Sequence, residues 1–533
     1  MPLTGWRRLI PVAFFGSLLL LGIWLHRDYG VSWDEPTDHQ NGSVSGRYVA
    51  ELLLPGLLRG NPTLATIPPI TNYTDNDHGV AFELPVAALG LLLTPGNQQG
   101  YFFLRHLLIF FTAVVGIWAL YRLGSIYFRR EWLGLLAALL LILSPRFFAE
   151  SFFNGKDVPF MVFFALGMYT LVRLLARPTS GRVLAHALAT AVAIDIRVPG
   201  VLLIAFTLGM LGLAILWPVA ERLSVRRGLL LVIGYLVLTA VFVVVGWPAL
   251  WADPVGHFIT SFRSLSHYNW PAATNFYLGQ HVSAKQLPWH YIPVWIASTT
   301  PVLYLAAAVL GLVAGLYQAY QGGWVRLQTM EGRLDLLLAG WLFGPVVLVV
   351  GLGSVLYDGW RHLYFIYPAL LLWAVRGASV LLSFIWQQHK AWQLAALCLG
   401  LASLELVRIG YQMVKLHPYQ HMYFSVLSAQ EAENLMERDY WGLSFREGLE
   451  WILAHDTSPQ ITIRSFSHHP LYNNTLILSP AERARFRYLP TKEARYYLTN
   501  YRWHPQSFLD SMGTEVYVVR AGGVKILSVF RRD

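Results

Sequence analysis

The sequence predicts an α-helical polytopic membrane protein of about eleven transmembrane helices with a small carboxyl-terminal α/β domain. Three observations carry that prediction. Hydrophobic residues fill 55% of the 533 positions and charged residues only 13%, whereas a soluble chain of this size carries about 25% charge. The apolar residues gather into runs of about 17 or more, the length that crosses roughly 30 Å of hydrocarbon. Beyond residue 413 the hydropathy falls, and short alternating strands with an amphipathic helix take over.

Taken in order, Met1 to Arg8 and the apolar stretch to Leu25 have the flanks of a signal peptide. No small-residue cleavage site follows, so an uncleaved first span is expected over 9–26. Further spans are expected over 101–121, 133–149, 157–175, 184–198, 200–217, 228–247, 291–317, 334–352, 362–382 and 392–413. Pro199-Gly200 breaks the fifth from the sixth, because proline removes a donor and biases its predecessor away from helix. Arg7 and Arg8, Arg122 with Arg129 and Arg130, Arg173 with Arg177 and Arg182, and Arg222 with Arg226 and Arg227 fall on one side. Arg326, Arg333 and Lys390 join them, and the positive-inside rule makes that side cytoplasmic.

Three segments then face outward. A long loop, 27–100, holds an amphipathic stretch near 45–59 and an apolar stretch, 80–93, expected to lie at the interface. A second loop, 248–290, is rich in Trp, His, Asn and Pro. The third segment, 414–533, is expected as a soluble extracytoplasmic domain, against a membrane domain over 1–413. In it 442–455 is predicted helical and 460–466, 495–501, 514–520 and 524–530 extended, with Ala521-Gly522-Gly523 turning the last hairpin.

Composition removes several function classes. The net charge of +10 comes largely from basic residues beside apolar runs, an orientation signal rather than a nucleic-acid stripe. A single cysteine, Cys398, excludes a disulfide framework and a cysteine metal cluster. No Gly-x-Gly-x-x-Gly or P-loop supports soluble nucleotide use. The histidines form no HExxH or zinc-finger spacing. No cofactor is expected, and Asp75, Asp77 and His78 are the one group suited to a divalent ion.

The sharpest candidate is Trp33-Asp34-Glu35-Pro36, just after the first span. Paired carboxylates close to a bilayer are costly unless they serve a wet cavity or a partner; the plainer reading is solvated loop acids. Asp38, Glu51, Asp75, Asp77, Glu83, Glu150, Asp157, Asp253 and Asp358 fall on the same predicted side. The turn Asn154-Gly155-Lys156-Asp157 places Asp157 at the start of a helix, where the helix dipole alone would favour it. Tyr357-Asp358-Gly359-Trp360-Arg361-His362 puts arginine on the side the orientation bias disfavours. Its fork suits a phosphate, and a headgroup contact is the alternative. Arg197 beside the helix break and Arg105-His106 are similar cases.

Several of these motifs, in this order, resemble the GT-C glycosyltransferases. The similarity is to the branch of protein O-mannosyltransferases and the lipid A aminoarabinose transferase. The matching elements are Trp-Asp34-Glu35 after the first span, Ser144-Pro145 ahead of Asn154-Gly-Lys-Asp157-Val-Pro159, Ala193-Ile-Asp-Ile-Arg197-Val-Pro-Gly200, and Gly359-Trp-Arg361-His362-Leu-Tyr-Phe-Ile-Tyr-Pro368. In the tail they are His417-Pro-Tyr-Gln-His-Met-Tyr-Phe424 and Asp439-Tyr-Trp-Gly442. The resemblance implies an inverting enzyme of the bacterial inner membrane. It would move sugar from a polyprenyl-phosphate donor to a protein, lipid or glycan acceptor at the extracytoplasmic face. It makes Asp34 the expected base, with Glu35 beside it, and Asp157 the second acid on the acceptor side. Arg361, with His362, Arg197 and Lys156, would hold the donor phosphate. In this chain Asp34 is followed by Pro36-Thr-Asp38, where close relatives carry an aromatic-containing continuation.

Chemistry supports the same economy. A polyprenyl phosphate leaves as a stable anion, so one base and fixed positive charge suffice, and a phosphomonoester asks for metal less strictly than a pyrophosphate. Two rival readings stand beside it. One is a transporter or flippase of lipid-linked sugars, which Asp195-Arg197 at the Pro199-Gly200 break would serve. The other is a non-enzymatic envelope scaffold.

Overall fold

The computed structural model describes residues 5–58, 64, 66–217, 224–266, 274–388, 390–489, 493–502, 505–506 and 512–532. Residues 1–4, Arg222, and the stretch 267–273 of the second expected outer loop lie outside them. The protein is an integral membrane protein. Among the described residues eight helices are long and apolar enough to cross a bilayer, or nine if one bent pair counts as a span. The expected eleven differ from this for a physical reason. The bent pair is Glu131–Ile142 with Pro145–Phe153, turned by 72° at Leu143-Ser144. Two other expected spans are short: the apolar stretch Leu9–Leu25 and the helix Ser180–Ile196, of 17 residues.

Lipid-facing surfaces follow the helical period. On Val225–Gly246, Leu230, Ile233, Val237, Val241 and Val245 are exposed at three- and four-residue intervals, while Tyr235, Thr239 and Val243 point inward. The inner seams use small residues. Gly311 on Val302–Gly322 and Gly377 on Tyr367–Ile385 face each other, and a Cβ on either would strike the other helix's backbone. Beside this seam Asp335 accepts from Tyr127 at 2.5 Å and from Arg326 at 2.6 Å, and also pairs with Arg376.

The expected break at Pro199-Gly200 is present: a helix ends at Ile196, a 3-10 turn covers Val198–Val201, and Leu202–Leu216 follows. The run expected as one span over 291–317 is two helices, Tyr291–Thr299 and Val302–Gly322, divided at Pro301. In the first long loop, Glu35–Leu53 is helical and extends the expected amphipathic stretch toward Asp34. The apolar stretch forms Glu83–Leu93, where Gly42 of the preceding helix lies against the Glu83 backbone.

Two small β structures complete the fold. Strands β1 (Thr274–Tyr277) and β2 (Gln280–Ser283) form a hairpin, closed by Leu278 and Gly279 at φ of 49° and 79°. The carboxyl-terminal sheet contains β3 (Ile461–Arg464), β4 (Phe486–Tyr488), β5 (Tyr496–Asn500), β6 (Thr514–Ala521) and β7 (Val524–Arg531), in the order β4-β3-β5-β7-β6. β3 runs parallel to β4 and β5, and β7 antiparallel to β5 and β6. Helix Phe445–His455 packs on this sheet through Gly448, where a Cβ would lie 2.7 Å from Leu527. The expected last hairpin turns at Gly522 and Gly523, both at positive φ.

Candidate active site

Five of the residues singled out in the sequence meet in one ion-pair network at the end of the bundle that carries the carboxyl-terminal domain. Asp34 stands at the N-cap of Glu35–Leu53, with Pro36 in the first turn. Its side chain caps nothing and turns to Arg361, whose Nη1 donates to Asp34 Oδ2 at 2.9 Å. The same Nη1 reaches Asp157 Oδ2 at 3.2 Å, and Nη2 reaches Asp358 Oδ2 at 3.1 Å. Arg197, released from helix by the Pro199 break, pairs with Asp157 Oδ1.

Each member is placed by local chemistry. Helix Pro145–Phe153 stops at Asn154, whose Oδ1 accepts from the backbone of Asp157 at 2.8 Å and of Lys156 at 3.3 Å. That turn starts Asp157–Ala176 with a carboxylate at the positive end of the helix dipole. Gly155 is required there, because a Cβ would enter the Arg105 guanidinium. Arg361 follows Asp358 and Gly359, both at positive φ (58° and 73°). Asn275 of β1 holds that turn, accepting from Asp358 N at 3.2 Å and donating to Leu356 O at 2.9 Å. The Arg361 guanidinium lies over Trp441 at 4.6 Å and Tyr357 at 5.3 Å.

The two adjacent carboxylates separate sharply. The Asp34 side chain is 32% exposed, against 1% for Asp157 and 7% for Asp358. Glu35 is fully buried: it accepts from Ser32 N at 2.7 Å and lies 3.1 Å from His106 and 3.5 Å from Arg105. Arg105 in turn forks onto Glu83. Asp38 is buried beside them, 3.6 Å from Arg105 and 3.8 Å from Lys156. Burial pushes its carboxyl up to about 8, because those cations stand too far off to offset lost hydration, and Glu83 and Asp34 add repulsion. Lys156 and Arg197 keep 21% and 19% of their side chains accessible, while Arg361 keeps 3%. His362 is a half-step away, its ring edge-on to Tyr357 at 4.7 Å.

Asp75, Asp77 and His78, the candidate metal group, place their ligand atoms within 4.8 Å of one another. Asp77 also accepts from Ser264 at 2.6 Å and Asp75 from Asn41 at 3.0 Å. A cavity of about 10 Å³, lined by Asp38, Asn41, His78, Glu83 and Lys156, lies between this group and the ion-pair network.

Other participants escaped the sequence reading. Arg502, at the end of β5, pairs with Asp358 and lies over Trp33 at 4.8 Å. Glu437 is buried close to Asp358, and desolvation followed by that charge pushes its carboxyl up to about 8. Asp358-Gly359 is a turn dipeptide, which was the available signal for its role; nothing around Arg502 or Glu437 marks either in sequence.

Residues 86–247, less than a third of the chain, match the family model for dolichyl-phosphate-mannose-protein mannosyltransferases. The match contains Lys156, Asp157 and Arg197 and leaves Asp34 and Arg361 outside. No curated protein matches the sequence. Among solved structures, ArnT from Cupriavidus metallidurans in the apo state is 14% identical, with 98% of each chain covered and a TM-score of 0.49. ArnT of that organism bound to undecaprenyl phosphate is 15% identical, with 97% of each chain covered and a TM-score of 0.48. The apo oligosaccharyltransferase of Archaeoglobus fulgidus is 11% identical over 91% of this chain and 69% of its own, with a TM-score of 0.47. The mannosyltransferase match lies over the Asn154–Asp157 turn and the Arg197 break.

Proposed function

We propose that the protein transfers a sugar from a polyprenyl-phosphate donor to an acceptor at the face bearing the carboxyl-terminal domain, with inversion at the anomeric carbon. The observation that carries this reading is the contrast within the acidic cluster. Asp34 alone combines partial exposure with a direct hydrogen bond to an arginine, and the carboxylates around it are buried in pairs. The family model named for enzymes of dolichyl-phosphate-mannose supports the class of donor.

In this reading an Asp34 oxygen takes the proton of the acceptor nucleophile as its heteroatom bonds to the anomeric carbon. The bond from that carbon to the phosphate oxygen breaks, and the electron pair leaves with the phosphate. One base is enough because the leaving anion needs no proton. Lys156 and Arg197 are the more accessible cations and would meet the phosphate. Arg361 orders Asp34 and Asp157, and His362 lines the same wall. Glu35 acts inward, fixing the start of the Asp34 helix through Ser32, Arg105 and His106. The side holding most loop arginines would be cytoplasmic, which puts the site outside a bacterial inner membrane.

The test is Asp34→Asn in a strain lacking the chromosomal copy. Transfer should fall by about 10²–10⁴-fold with expression and membrane insertion intact, read by mass spectrometry of lipid-linked sugars and envelope glycans. Full restoration of the glycan profile by Asp34→Asn would remove Asp34 as the base.

A further inference from the structure

The carboxyl-terminal domain also grips the segment that delivers Asp34, and the backbone accounting there is unusual. Residues 31–33, which deliver Asp34, lie in neither helix nor strand, so their backbone groups need partners from elsewhere. Val31 N donates to Asn474 Oδ1 at 3.1 Å, and Val31 O accepts from Asn474 Nδ2 at 3.2 Å. Ser32 O and Trp33 O both accept from Asn473 Nδ2, at 3.1 and 3.2 Å. Trp33 N donates to Trp441 O at 3.0 Å. Only Ser32 N finds its partner nearby, on Glu35.

The clamp is itself fixed. Asn473 and Asn474 are 4% and 0% exposed, on helix His468–Thr475. Asn474 Nδ2 also reaches Gly442 O at 2.9 Å and Pro470 O at 2.8 Å, tying that helix to the Trp441 turn. Gly30 has to be glycine for the loop to approach, because a Cβ would enter Asn474 Oδ1 and the Leu443 carbonyl. Arg446 closes the upstream side, donating to Arg27 O at 2.6 Å and Tyr29 O at 2.9 Å.

We infer that Asn473 and Asn474 are positioning residues of the transfer site, setting the height and direction of Asp34 by gripping the backbone immediately before it. The inference rests on the reading of Asp34 as the base. Neither asparagine side chain bonds to a residue of the ion-pair network, so each acts through the loop. A displacement of about 1 Å in such a group costs around 10²-fold in rate.

The experiment compares full-length Asn473→Ala, Asn474→Ala and Asn474→Asp with the parent protein in lipid nanodiscs. Asn474→Asp keeps the acceptor for Val31 N and loses the donor. For each alanine variant kcat should fall about 10- to 100-fold while donor KM stays within about twofold, since the base moves and the donor cations do not. Asn474→Asp should not recover that loss, because its carboxylate sets an acceptor against the carbonyls of Val31, Gly442 and Pro470. Hydrogen–deuterium exchange of the peptide covering 29–35 should rise in the alanine variants, with the peptides of β5 and β7 unchanged. Unchanged kcat with unchanged exchange at 29–35 overturns the inference. So does a fall in kcat accompanied by faster exchange across the whole carboxyl-terminal sheet, which would mark general unfolding. If the parent protein transfers no sugar, the functional reading fails, and exchange at 29–35 alone still decides whether the asparagines hold the loop.

Discussion

Arg361 serves three carboxylates with one guanidinium, and their burial decides what its loss would do. Asp157 and Asp358 have almost no access to water and keep Arg197 and Arg502 when Arg361 is lost, so Arg361→Ala removes charged hydrogen bonds and should destabilise the fold by about 1.5–3 kcal/mol. Asp34→Asn removes a partly hydrated charge and should leave the melting temperature close to that of the parent. A melting temperature for Arg361→Ala equal to that of Asp34→Asn would show that the network is not structural. The residues of this network were unequally legible. Asp34, Asp157, Arg197 and Arg361 stood out because charge beside apolar runs is expensive and turn or helix-break residues flanked three of them. Asp34 and Glu35 were inseparable in sequence, since adjacent residues at a helix start point in different directions only once the packing of Arg105 and His106 is known.

At the scale of elements, Pro199-Gly200 marked the break at Val198–Val201 in advance. The division at Pro301 was hidden by the apolar residues on both sides, which keep hydropathy high through a non-helical joint. Helices Val302–Gly322 and Tyr367–Ile385 depend on a different signal, the close approach of Gly311 and Gly377. Gly377→Val should force these helices apart, because its first side-chain atom would already overlap the Ala307 carbonyl. Reduced yield of folded protein and a lower melting temperature are expected; an unchanged melting temperature would show that the seam can spread without cost. Since Tyr367–Ile385 continues directly from the turn bearing Arg361, the same variant should also reduce transfer.

Across the whole molecule, two buried acids set a dependence of stability on pH. Asp38 and Glu437 are each pushed up to about 8, mainly by desolvation, whereas an unfolded carboxyl titrates near 4. Between those values the folded chain holds protons that the unfolded chain has released. Stability is therefore greatest below about pH 4 as far as these two groups decide it, and falls as pH rises toward 8. The melting temperature should decline from pH 5 to pH 8, and Asp38→Asn should flatten part of that decline. An equal slope in the variant would assign the dependence to other groups.

The grip of Asn473 and Asn474 on residues 31–33 has a consequence in time. The loop emerges from the ribosome early, yet its partners come from a helix more than four hundred residues later. Until that helix is made and docked, the segment before Asp34 has no fixed course. A nascent chain, or one truncated before residue 468, could seat its helices in the bilayer and still leave the segment before Asp34 unaligned.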